Sequence, residues 1–394
     1  MRTVGVEEEL LLVDPRSGEP VALSAAVLDA AAKESGDGRA HVFQKELQGQ
    51  QLEFATRPQS DMGELAAEIE RCRAEAARHA AEVGGAVAAL ATSPLPARPA
   101  LGEGERYRWI QEQLALSAQE QLTCGCHVHV SVVSDEEGVA VLDRIRPWLS
   151  VLLALSANSP FWQGQDSGYS SYRNRVWGRW PGTGPVELFG SADRYHQQVR
   201  DLVGTGVLYD EGMVYFDARL SRNYPTVEVR SPDVCLDAAT TALVATLTRG
   251  LVDTAARQWR EGVPPERHGI GLLRAAAWRA ARSGLDDTLV HPLTMRPAPA
   301  ERVVHALLGH IEDALEDNGD LPYARKGIAE LLSHGNGARV QRRLLRRTGS
   351  LREVVAACVR RTQEGGYRDD GYQATRAARA KGRAVRGTSH GGAA

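Results

Sequence analysis

The stretch that most constrains this chain is its start, Val4 to Val13, which reads Val-Gly-Val-Glu-Glu-Glu-Leu-Leu-Leu-Val. The turn signal Asp14-Pro15-Arg16-Ser17-Gly18 closes it, and its length predicts a strand, on which successive side chains point to opposite faces. Glu7 and Glu9 then share one face. Val4, Val6, Leu10 and Leu12 share the other, with Glu8 the one polar residue among them. Two carboxylates two strand residues apart stand about 7 Å from each other and repel by roughly 2 kcal/mol at an effective dielectric of about 20. Such a face calls for a positive partner. The plain alternative is the wet face of an edge strand, and what tells against it is the recurrence of the pattern in three further stretches.

The first is the second arm of a hairpin expected over residues 41–56, where Leu52 and Phe54 face the core while Gln51 and Glu53 face away, with Glu46 on the first arm. The next, Gly125 to Val133, puts His127, His129 and Ser131 on one face and Cys126, Val128, Val130 and Val132 on the other. In the last, Thr226 to Arg230, Val227 and Val229 pack while Thr226, Glu228 and Arg230 face away. Sheets with one polar and one aliphatic face are usually antiparallel, with helices behind the apolar side. The expected fold class is therefore α+β, with a curved antiparallel β-sheet.

Helical periodicity fills most of the rest. Asp61 and Glu64 have capping-box spacing, and Leu65, Ile69, Cys72, Ala76, Ala80, Val83, Val87 and Leu90 continue as one long amphipathic helix. Helices are also expected over 24–33, 105–117, 135–157 with an interruption at Pro147, 193–203, and from 237 to about 281. The polar, aromatic segment from Asn158 to Pro185 is long for a connection, and such loops commonly serve function. Dense arginine over 339–361 reads as solvated helix faces, and Gly, Ala and Arg dominate from 366 to 394, a composition expected to be disordered.

With 394 residues, a formal net charge of -3 and no basic surface excess, the chain is not a general nucleic-acid binder. No apolar run approaches a membrane span and no signal-like start is present, so a cytoplasmic protein is expected. Five cysteines suit free thiols rather than a disulfide framework.

The polar faces together hold Glu7, Glu9, Glu53, His127, His129, Glu228 and Arg230, with Glu46 nearby. If the strands are neighbours, they form an acidic bowl with the hard oxygen ligands and open positions that a divalent cation carrying a polyphosphate needs. Arg230 can pair with phosphate or carboxylate oxygens. ATP with Mg2+ is favoured over zinc, because on a strand Cys124 and Cys126 face away from His127 and His129. Gly335-Asn336-Gly337 before a helix is only a weak hint of an anion-binding turn, and no P-loop occurs.

These residues resemble a known family. Gly-Val-Glu-Glu-Glu at 5–9, the pair Glu46 and Glu53 ending in Glu-Phe-Ala-Thr, Gly-Cys-His-Val-His-Val at 125–130, Ser-Ala-Asn-Ser-Pro-Phe-Trp-Gln-Gly at 156–164 and Thr-Val-Glu-Val-Arg-Ser-Pro-Asp at 226–233 are similar to the carboxylate-amine ligase branch of the glutamate-cysteine ligase type 2 family. The resemblance covers residues 1–365, one catalytic domain, and implies a glutamine synthetase-like sheet whose concave face binds ATP and magnesium. Carried over, it implies Glu7, Glu9, Glu46, Glu53, His127 and Glu228 as metal ligands, Arg230 against phosphate or the substrate acid, and Arg173 as a second such contact. Cys126 and Arg57-Pro58 depart from the family pattern without touching a proposed ligand. The resemblance further implies amide formation through an acyl phosphate between small-molecule acid and amine substrates, glutamate and cysteine by default, with weak catalysis of that pair. It leaves open a homo-oligomer. Two rivals stay open at this point: a guanidino-compound kinase on a related fold, and a non-catalytic metabolite-binding protein.

Overall fold

Strand β1 (Val4–Val13) is the axis of a seven-stranded open sheet. The computed structural model describes residues 1–35, 43–102 and 104–364; the segment 366–394 lies outside the described residues. In chain order the other strands are β2 (Phe43–Lys45), β3 (Gln51–Ala55), β4 (Ala86–Ala88), β5 (Cys126–Ser131), a separate hairpin of β6 (Phe161–Trp162) and β7 (Gln165–Asp166), then β8 (Ala218–Leu220), β9 (Thr226–Val229) and a second separate pair, β10 (Thr288–Val290) and β11 (Pro297–Pro299). The sheet order is β2-β3-β1-β5-β9-β8, with β4 beside the C-terminal end of β1, and every pairing is antiparallel.

Alternation fixes which face is dry. Val4, Val6, Leu10, Leu52, Phe54, Val128, Val130, Val227 and Val229 are all buried, and a one-residue slip in register would turn them toward the acidic side. Behind them pack the helices Met62–Glu82 and Ala238–Arg260. Glu8 belongs to this apolar side, and its place there is explained by Arg73. The Arg73 guanidinium reaches it from the Met62–Glu82 helix with Nε to Oε2 at 2.8 Å and Nη2 to Oε1 at 2.7 Å. Thr241 donates to the same carboxylate at 2.6 Å, and Arg73 also donates to the carbonyls of Cys235 and Leu236.

The helix expected to run on to Leu90 stops at Glu82 instead. Gly84 adopts a left-handed φ of 79°, Gly85 N–H returns to the Ala80 carbonyl, and the chain enters β4. Val87 and Leu90 kept the apolar pattern because β4 is covered on both faces, and such a strand reads as a continuous apolar run. The cap itself is present, with Asp61 Oδ1 accepting from Glu64 N–H at 2.9 Å. The helix expected over 105–117 breaks at Ala115, where φ is 46°, into Glu105–Leu114 and Leu116–Gln119. Pro147 interrupts the helical stretch after Asp135 as a 3₁₀ turn, Arg146–Trp148.

The long polar segment is anchored rather than loose. Asp233, just beyond β9, accepts from Asn158 N–H at 2.9 Å, Ser159 Oγ at 2.7 Å and Ser171 Oγ at 2.8 Å, which holds the helix Arg173–Trp177 over the sheet. The Gly335-Asn336-Gly337 turn is a packing device. Asn336 caps the helix Gly337–Thr348 by accepting from Arg339 N–H, and a methyl group on Gly337 would overlap the Asn158 amide.

Candidate active site

Register turns the scattered acidic residues into neighbours. Glu9 lies opposite Glu53 across β1 and β3, Glu7 opposite His127 across β1 and β5, and His129 opposite Glu228 across β5 and β9. Glu228 in turn faces Arg219 on β8. All of these residues, with Glu46, Arg173 and Arg230, line one cavity of about 390 Å³. The residues singled out in the sequence are therefore brought together without exception.

Two groups form within the bowl. Glu9, Glu46 and Glu53 each offer a carboxylate oxygen, all within 4.8 Å of one another; Glu7, His129 and Glu228 do the same with an imidazole nitrogen. His127 stands between the groups, its Nδ1 3.3 Å from Glu7 Oε2 and 4.0 Å from Glu228 Oε1, its Nε2 3.8 Å from Glu9 Oε1. His129, to which the sequence assigned no role, has Nε2 3.2 Å from Glu7 Oε1 and Nδ1 2.9 Å from Thr226 Oγ1. The thiols stay out. Cys124 and Cys126 are buried and burial pushes both well up, and no cysteine joins a potential metal group among the described residues. A third group, Glu34, His79 and Glu82, lies away from the bowl, and Arg78 bridges its two carboxylates.

The electrostatics of the two bowl groups differ. Burial, then the charge of Glu46, pushes the Glu9 carboxyl up to about 7 and that of Glu53 well above the ordinary carboxylate value. The charges of Arg173 and Arg230 and the Gly125 N–H, which donates to Glu9 Oε2 at 2.6 Å, offset the crowding at Glu9 only in part, and the leading influences on Glu53 all push upward. In the second group burial is outweighed: hydrogen bonds from His127 and His129 hold Glu7 below the usual range, and Arg230 and Arg219 hold Glu228 there. Arg219 Nε lies 2.7 Å from Glu228 Oε2, and Arg230 Nη1 bonds Oε1 of the same carboxylate. His127 is pushed down to about 4, by burial first and then by Arg230. The donor set, hard oxygens with at most an imidazole, suits Mg2+, and the first group is the one whose charges are only partly compensated.

A pH dependence follows. Carboxyls raised in the folded protein contribute stability below the unfolded value and lose it as pH rises through the folded one. Between pH 6.5 and 8 the raised Glu9 and Glu53 carboxyls and the raised His129 imidazole all lose their stabilising protons, while the unfolded His127 finishes titrating, so the metal-free melting temperature is expected to fall by a few degrees. Added Mg2+ should restore it at pH 8 and do little at pH 6.5. Scanning calorimetry at both pH values tests this, and a metal-independent slope would count against the first group as a cation site.

Two guanidinium groups lie beside the carboxylates. Arg173 is 3% exposed and Arg230 9%, and the Nε of each is buried with no hydrogen-bond partner among the described residues. Arg173 Nη1 and Nη2 donate to the carbonyls of Ser231 and Arg230, both at 3.3 Å, and its guanidinium stacks on Trp177. A methyl group on Gly125 would overlap Arg173 Nη2, so glycine at that strand end is what lets the arginine approach. The sequence missed the remaining wall. Arg219 on β8 and Lys45 on β2 sit on three-residue strands too short to show a period, and Arg106, Tyr107, Trp177 and Trp180 reach the cavity from helices and a loop that carry no alternating signal.

Comparison with known proteins agrees with this geometry. The model of "Glutamate-cysteine ligase family 2" matches residues 3–358. "Putative glutamate--cysteine ligase 2-1" of Streptomyces avermitilis is 67% identical over 363 residues, covering 92% of this chain and 100% of the relative. A protein of the same printed name from Paenarthrobacter aurescens is 49% identical over 374 residues, covering 94% and 97%. Among solved structures, glutamate-cysteine ligase from Francisella tularensis in complex with AMP superposes with a TM-score of 0.68 at 13% identity, covering 99% of this chain and 95% of that one. The ligase PafA, solved with the ubiquitin-like protein Pup, gives 0.52 at 12% identity, covering 88% and 68%. Both likenesses concern the fold. Among the described residues no helix is long and apolar enough to cross a membrane.

Proposed function

The chain belongs to glutamate-cysteine ligase family 2 and is an enzyme of the carboxylate-amine ligase type; from that premise we propose that it uses ATP and Mg2+ to join a small-molecule acid to an amine in the bowl described above. Glutamate and cysteine are the default pair, taken from the relatives' names. The catalytic domain is assigned to residues 1–365. The observation that carries the reading is the group of Glu9, Glu46 and Glu53, whose carboxyl oxygens crowd within 4.8 Å while burial keeps two of them short of charge.

In this reading Glu9, Glu46 and Glu53 would hold one ion and Glu7, His129 and Glu228 another, with His127 between the two groups and in reach of either. The bound ions would supply charge neutralisation for the nucleotide phosphates. The protein's own part is positional. Arg230 and Arg173 line the cavity, each with a desolvated Nε–H that has no partner among the described residues, and their guanidiniums can fix the oxygens of a substrate acid or phosphate. A carboxylate oxygen of the acid attacks the γ-phosphorus of ATP and ADP departs, leaving an acyl phosphate; the amine nitrogen then attacks the acyl carbon, phosphate leaves, and the nitrogen loses a proton. Nothing here needs a protein nucleophile, in keeping with the buried, unactivated thiols.

The test is a matrix of acids against amines with ATP and Mg2+, read by phosphate release and by mass spectrometry of the product. An acid and amine pair that raises phosphate release together with an amide is the expected outcome. Phosphorylated product without an amide would make the protein a kinase, and no ADP with any pair would leave it a binding protein.

A further inference from the structure

A second cavity, of about 380 Å³, backs onto the bowl, and Trp177 and Trp180 line both. On its wall lies Asp217, only 7% exposed. The backbone of Asp217 is fixed on both sides, its N–H donating to the Gly184 carbonyl at 3.0 Å and its carbonyl accepting from Arg230 N–H at 2.9 Å. Its carboxylate has no hydrogen bond or ion pair among the described residues. Only the more distant charges of arginines in the cavity wall favour its ionised form, so the carboxylate's hydrogen-bonding capacity is unused. Burial pushes the group up to about 6 against the charges of Arg173, Arg175 and Arg274, so the ionised form is present at neutral pH.

The same cavity carries the opposite demand. Arg175 spends Nε and Nη2 on Asn174 Oδ1, at 3.2 and 2.6 Å, which leaves its Nη1 without a partner. Arg274, at the exposed rim, makes no ion pair or hydrogen bond among the described residues. A plain amine would satisfy Asp217 and neglect the two arginines; a plain acid would do the reverse and meet an unpaired carboxylate. We propose that this cavity is a second ligand site, separate from the metal bowl, which takes a small zwitterion of the α-amino acid class, its ammonium on Asp217 and its carboxylate on Arg175 and Arg274. The volume is ample for one amino acid, and the tryptophan faces accommodate its side chain.

Isothermal titration of the full-length protein without nucleotide, with each of the twenty proteinogenic L-amino acids as probe, tests the assignment. One or more should bind, and the best binder should outbind both its decarboxylated amine and its deaminated acid. Asp217→Asn, which keeps the shape and removes the charge, should weaken that binding at least about tenfold, and Arg274→Ala, at an exposed position, should weaken it as well. Glu53→Gln, in the bowl, should leave it unchanged. No binding by any amino acid, or binding that survives Asp217→Asn but is lost in Glu53→Gln, would overturn the proposal. Because no turnover is measured, this outcome is independent of whether the ligase reading holds.

Discussion

Glu53→Gln is expected to lower ATP-dependent phosphate release at least about 100-fold while the metal-free protein stays as stable as the wild type or becomes more so. The two halves of the result come from one cause. Glu53 is buried on β3 opposite Glu9, and burial, then the charge of Glu46, pushes its carboxyl well above the ordinary value, which favours the neutral form in the metal-free fold. A glutamine therefore mimics the state the fold prefers without a cation, and removes one of the repelling charges. It cannot supply the negative oxygen a divalent ion requires. Glu228→Gln should also abolish turnover, but with a stability cost, because Arg219 and Arg230 would lose their shared partner. Phosphate release and thermal melts on the two variants separate the cases. Near-normal turnover by Glu53→Gln would remove that residue from the site.

The second large effect is on stability alone. Arg73→Ala is expected to destabilise the fold by about 3–5 kcal/mol, since it strands a fully buried carboxylate at Glu8 beneath the sheet. Six hydrogen bonds meet at this pair, tying β1 to the Met62–Glu82 helix, to the Cys235 and Leu236 carbonyls and to Thr241. Replacing both partners, with Glu8→Leu and Arg73→Met, should cost much less, because no charge is then left unpaired. Denaturant unfolding of the single and double variants measures the difference. Equal losses in both would show that packing volume, and not the ion pair, holds this junction.

These two cases also mark what the sequence could and could not yield. Glu7, Glu9, Glu53, His127 and Glu228 were legible because strand alternation is a strict two-residue rule, so each polar residue announced its own face. That they share a hollow needed strand order, which alternation does not contain; the paired register of β3, β1, β5 and β9 provides it. Glu8 broke the rule in the sequence, and its partner lay 65 positions away on a helix, beyond any local pattern. The helix drawn through Val87 failed for a related reason: a strand covered on both sides has no alternation to read, and helical spacing fitted it by default. Arg219 and the loop residues of the cavity wall were likewise silent, because the three-residue β8 is too short to show a period.

The carboxylates of the bowl come from the first 53 residues and from Glu228, while the imidazoles and guanidiniums that temper them come from His127 to Arg230. During synthesis, then, the crowded glutamates of the first 53 residues emerge ahead of the imidazoles and of the Arg173 and Arg230 guanidiniums that offset them in the fold. The ladder is completed only when β9 arrives, since it pairs on the side of β5 away from β1. The hollow is therefore completed late: a ribosome-stalled fragment ending before residue 226 would carry Glu7, Glu9, Glu46, Glu53, His127 and Arg173 but lack Glu228 and Arg230.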